Sequence, residues 1–90
     1  MQQGKKVNHF KKKAGESLKE IRLNNYQGSI NKIAHEYDID KGNLSKIERG
    51  LIGCTLLTAW KICEASGIKF SEFAKILETN LGKNFRLTDE

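Results

Sequence analysis

In the stretch "DIDKGNLSKIERG", residues 38 to 50, Lys41, Ser45 and Arg49 recur every four residues, with Gly42 and Lys46 beside them. At helical spacing these side chains share one edge, and Leu44 and Ile47 take the other. The polar edge is made almost wholly of hydrogen-bond donors, three of them cationic. That is the chemistry needed to meet phosphate oxygens and the N7 and O6 acceptors of guanine. The plain alternative is the solvated outer face of an ordinary surface helix.

Other chemistries have less to work with. Glu36 and Asp38 fall at a helix end and in a turn, not as an acid/base pair. Ser, His and Asp are present but without spacing that supports a triad, and no glycine-rich loop follows a strand. Cys54 and Cys63 are nine residues apart, at the start and middle of one expected helix, which separates them by about 13 Å and rules out a disulfide. His9 and His35 are isolated, so no zinc ligand set is expected and both cysteines read as small apolar residues. The expectation is a binding protein with no cofactor and no catalytic residues.

The elements that must position the cationic edge are helical throughout. Leu18, Ile21 and Arg22 open a helical period from Gly15, and "LKEIRLNN" reads as helix one. "NNYQGS" is turn chemistry. Ser29 can cap helix two, "SINKIAHEY", whose inner face is Ile30, Ile33, Ala34 and Tyr37. Asp38 tolerates the left-handed conformation of a tight turn. Asp40 caps helix three, "KGNLSKIE", and Gly50 stands where that helix would end. Thr55 caps helix four, "LLTAWKICEAS", with Leu56, Ala59, Ile62 and Cys63 facing inward, and Gly67 ends it. Ser71 is the expected cap of helix five, "EFAKILETN", with Phe73, Ile76 and Leu77 on its apolar stripe and Gly82 as its stop. Core packing is the preferred reading for Trp60 over a partner surface. At least one of Leu51 and Ile52 is expected to be exposed. Phe70, Phe73, Leu77, Leu81 and Phe85 read either as the closing face of a small core or as a dimer contact.

Ninety residues suit one small all-α domain. The charge is unevenly placed: residues 1 to 28 carry seven basic and two acidic side chains, residues 29 to 90 nine of each, so the net +5 sits near the N-terminus. Lys5, Lys6, Lys11, Lys12 and Lys13 precede the first strong helical pattern. Residues 1–13 are therefore expected to form a flexible basic arm, either contacting phosphates or merely solubilising, followed by a domain over 14–82 and a tail over 83–90. No apolar run approaches a membrane span, and "MQQGKKVNHFKKK" lacks the apolar stretch of a secretory signal, so a cytoplasmic location is expected.

Helices two and three, each about eight residues and joined by about four, have helix-turn-helix spacing. The pieces "LKEIR", "INKIAHEYDID", "LSKIERG" and "TLLTAWKICEASGIKFSEF" resemble the lambda-repressor/Cro-like, or XRE-type, helix-turn-helix family, from Gly15 to about Glu78. The resemblance implies a compact five-helix domain that binds double-stranded DNA sequence-specifically as a transcriptional regulator, most simply a repressor acting as a homodimer. It implies that Lys41, Gly42 and Lys46 face the bases, that Asn43 and Arg49 face phosphates, and that Asp40 caps the recognition helix. Ser29 and Ser45 complete the implied DNA-contacting set. Arg22 and Glu48 match a family pair whose salt bridge ties helix one to the end of helix three. The chain departs from the family at Ile30 (usually glutamine), Asp38 (glycine), Cys54 (proline) and Ser66 (leucine). An antitoxin-like module of the same fold, with a toxin or co-regulator as its main partner, is the competing reading. A nucleic-acid binder acting through the arm with little sequence preference is a third.

Overall fold

The computed structural model describes residues 2–88 and is all-α, with five helices and no strand among the described residues: α1 Gln2–Asn25, α2 Ile30–Glu36, α3 Lys41–Glu48, α4 Leu56–Ala65 and α5 Phe70–Leu81. α1 packs against α3, α4 and α5, α2 against α3, and α4 against α5. Leu18, Ile21, Ile33, Ala34, Leu44, Ile47, Ala59, Ile62, Cys63 and Phe73 form the core, to which every helix contributes. No helix among the described residues is long and apolar enough to cross a membrane.

The principal correction concerns the N-terminus. Residues 2–13, expected as a flexible arm ahead of a helix starting near Gly15, are the first three turns of α1. The reason is legible once α1 is seen whole. Val7, Phe10, Ala14, Leu18 and Ile21 continue one apolar stripe at spacings of three and four. The lysines between them are good helix formers. α1 packs against α5, and Val7, Phe10 and Ala14 line an open groove of about 440 Å³ with Phe70, Phe73 and Leu77, with Ala14 buried, Phe10 half-buried and Val7 still 37% exposed. The tail also folds back, placing the Phe85 ring 5.8 Å from His9 and 6.2 Å from Phe10.

Several ends follow from local chemistry. Ser29, Asp40 and Thr55 each accept a hydrogen bond from the backbone N–H three residues on, which caps α2, α3 and α4. Ser71 does not cap α5. That helix starts two residues earlier, at Phe70, with Lys69 in the cap position and no side-chain cap bond. Burial of Phe73 and stacking of Phe70 on Trp60 at 5.8 Å fix its start instead.

Two inward assignments on α4 are also overturned. Leu56 is 78% exposed and Trp60 56% exposed. Ala59, Ile62 and Cys63 already fill the face of α4 that α1 and α5 cover, so a first-turn leucine and a bulky indole fall outside it. Leu51 is exposed and Ile52 half-buried, Phe73 is buried, and Phe70, Leu77, Leu81 and Phe85 are half-buried.

A close backbone approach joins α1 to α3. A Cβ on Gly15 would fall inside contact distance of the Ile47 carbonyl oxygen and 3.0 Å from that of Glu48. Both neighbours are backbone, so neither can rotate aside. Gly15→Ala should therefore cost about 1–3 kcal/mol of unfolding free energy, read by urea denaturation. A midpoint unchanged from that of the parent chain would show that α1 and α3 are not held this closely.

Candidate nucleic-acid interface

α3 has eight residues, too few to be stable alone, and its orientation comes from what it buries. Leu44, Ile47 and Glu48 are its buried residues. Gly42, Ser45, Lys46 and Arg49 follow the spacing i, i+3, i+4, i+7 and so share the opposite face, flanked by Lys41 and Asn43. Gly42, Lys46, Arg49, Lys41 and Asn43 are exposed, and Ser45 is half-buried. The two lysines have no hydrogen-bond or ion-pair partner among the described residues, while Arg49 Nε donates to the Ser45 carbonyl at 3.3 Å. The structure thus brings the cationic residues singled out above onto one open surface.

Two members of the expected contact set are engaged internally. Asp40 Oδ1 accepts from the Asn43 N–H at 2.8 Å, and Ser29 Oγ accepts from the Lys32 N–H at 3.1 Å. The Asp40 charge therefore complements the positive end of α3. Gly42 leaves that cap room, since a Cβ there would sit 3.2 Å from Asp40 Oδ1.

The connection from α2 to α3 is set by Asp38, the one non-glycine residue with positive φ among those described, at 53°. Its backbone turns the chain so that the Ile39 N–H reaches the Ala34 carbonyl at 2.8 Å. Lys61 Nζ on α4 donates to the Asp38 carbonyl at 3.2 Å, which ties the turn to the body of the domain. Tyr26 OH donates to Glu36 Oε1 at 2.6 Å, linking the end of α1 to the end of α2. Loss of solvation together with that bond raises the Tyr26 phenol to about 12.

The other end of α3 is held by charge. Arg22 Nε donates to Glu48 Oε2 at 2.6 Å and Arg22 Nη2 to Glu48 Oε1 at 2.8 Å, with both side chains buried. The two parallel bonds keep Arg22 protonated, holding its pKa above the ordinary arginine value against the opposing effect of burial. Gly50, at φ 76°, ends the helix and lies against Lys12 of α1, whose Cα would be 2.6 Å from a Cβ at that position.

Cys54 and Cys63 are free thiols, each raised in pKa chiefly by burial, which keeps them neutral and poorly nucleophilic. Among the described residues, no three His, Cys, Asp or Glu side chains are grouped to hold a metal ion. No protein-family model matches the sequence, and no curated protein is significantly similar to it.

Removing one member of the buried pair strands the other. Arg22→Ala or Glu48→Ala should each cost about 3–5 kcal/mol, whereas replacing both by apolar residues of similar volume should cost much less. Denaturant titration of the two single variants and the double variant tests this. Single-variant losses below about 1 kcal/mol, the range of exposed pairs, would contradict it.

Proposed function

We propose that this protein is a sequence-specific double-stranded DNA-binding regulator of the helix-turn-helix type, which inserts α3 into the major groove. The observation that carries this reading is the outward face of α3. Lys41, Lys46 and Arg49 stand exposed there, the lysines without internal partners, on a helix whose other side is fixed by Leu44, Ile47 and the Arg22–Glu48 pair. The major groove, about 12 Å wide, accepts one helix presented in this way. In the proposed complex Lys46, mid-helix, reaches a base edge, and Arg49 and Asn43 meet phosphates. α2 crosses the backbone, where Ser29 lies at its start. The resemblance noted in the sequence supports the same assignment. The reading is of a binding protein and involves no catalysis.

Duplexes selected from a random pool supply the test. Lys46→Ala should cost about 1–3 kcal/mol on a selected duplex and much less on a random one. Equal affinities of the parent chain for both duplexes would remove the proposal.

One helix reads only a few base pairs, so the reading includes a homodimer that places two copies of α3 about 34 Å apart. Phe73, one of the C-terminal cluster that the sequence leaves open between a core face and a dimer contact, is buried within the fold. Besides Val7, Leu23 and Leu87 elsewhere, the large apolar side chains left in solvent among the described residues include Leu51, Leu56, Leu57 and Trp60, grouped on α4 and the loop before it. They also favour a second reading, a protein-interaction module whose main partner is a different chain. Sedimentation velocity at micromolar concentration, with and without a selected duplex, separates the two. A dimer that Leu57→Asp returns to monomer is the expected result, and a monomer under both conditions would favour the second reading.

A further inference from the structure

The helical N-terminus changes where the excess positive charge can act. In α1, Lys5, Lys12 and Lys19 are seven residues apart and all exposed. Seven residues fall about 20° short of two full turns, so the three lysines stay within about 40° of one line, about 10 Å from one to the next.

The line can be placed relative to α3. Gly15 and Arg22 of α1 both meet α3, through Ile47 and Glu48. Lys12 and Lys19 each precede one of them by three residues, about 60° round the helix. Lys12 also lies directly against Gly50, the residue after Arg49. The opposite flank is taken. Ser17 there accepts from Asn80 of α5 at 2.9 Å, and Phe10 meets the tail's Phe85. Phe85 also touches His9, about 40° round from Lys5, and so sets the tail beside the N-terminal end of the lysine line. The carboxylates of α1 are Glu16 and Glu20. Lys13 draws Glu16 aside at 3.3 Å, and Glu20 is about 100° round from Lys19.

From this we infer that Lys5, Lys12 and Lys19 form a rigid phosphate-contacting ridge, continuous with the outward face of α3 and running along the DNA backbone beside the groove that α3 enters. The inference rests on the reading of α3 as a DNA-binding helix. It adds a second contact surface, about 20 Å long, whose geometry is fixed by the helix. Lysine ammonium groups at that spacing act as point charges on phosphates and carry no base information. The ridge therefore contributes affinity and orientation, while α3 contributes discrimination.

The test is a salt titration of binding to a selected and to a random duplex. Each phosphate neutralised contributes about 0.9 to the slope of log affinity against log salt. K5Q/K12Q/K19Q should lower the slope by about 2.7 on both duplexes, so that the affinity lost between 50 and 200 mM salt shrinks by about fortyfold. The ratio of selected to random affinity should survive. K69Q/K75Q/K83Q removes the same charge from α5 and its ends, and should leave the slope near that of the parent. Asn8→Pro keeps every lysine but breaks the helix between Lys5 and Lys12, and should lower the slope by about 0.9. Equal slope losses in the two triple variants would overturn the ridge and leave only net charge. An unchanged slope in Asn8→Pro would overturn its rigidity. A parent chain with no preference for the selected duplex would instead sink the reading of α3, a result distinct from either.

Discussion

The buried contact between α1 and the end of α3 is the constraint on which the rest depends. Arg22 and Glu48 form two parallel charge-assisted bonds, and Gly15 lets the backbones close in beside them. A buried ion pair adds little net stability compared with an apolar pair of the same volume, but it tolerates little error in geometry. Here it fixes the rotation of a helix of only eight residues. With Glu48 turned inward beside Leu44 and Ile47, the outward face of α3 can only be that of Gly42, Lys46 and Arg49.

The opposite end of α3 is held by polar backbone chemistry. Asp38 in the left-handed conformation, the Asp40 cap and the Lys61 bond to the turn together fix where α3 begins. Two carboxylates near a proposed DNA-binding face look adverse on charge count alone. The Asp40 charge, however, is met by the N-terminal dipole of α3 and by the Asn43 N–H, so less of it is presented to an approaching anion. Asp38 and Asp40 are exposed, as are Lys41, Lys46 and Arg49, and what distinguishes Asp40 is its backbone partner at the start of α3.

The extended α1 makes the positive charge directional. Charges on a disordered segment average over many positions, whereas charges on a helix keep their register. The tail's Phe85 lies against His9 and Phe10 of the added turns, and Val7 and Phe10 line an open groove with Phe70, Phe73 and Leu77. The excess charge of the first 28 residues consequently belongs to the folded body.

Local chemistry determined much of this protein from sequence alone. The caps at Ser29, Asp40 and Thr55, the left-handed stops at Asp38, Gly50, Gly67 and Gly82, and the inward sets of α2 and α3 depend on neighbours within one or two turns. The pairing of Arg22 with Glu48 spans 26 residues and is not local; the family resemblance implies it, and the need of a charged residue on an inner face for a partner agrees with it. What lay outside its reach depended on distant surfaces. Residues 2–13 read as an arm because five lysines obscure an apolar stripe of Val7, Phe10 and Ala14. That stripe has value only when α4, α5 and the tail are there to cover it. Leu56 reads as core because helical period says which residues share a face, but not how wide a face the neighbours will cover, and Trp60, off the strict stripe, reads as core because large apolar side chains are usually buried. The start of α5 was misplaced for the same reason, since burial of Phe73 outweighed the capping preference of Ser71. Only the tertiary structure decided these points, because burial is a property of two surfaces and a sequence displays one at a time.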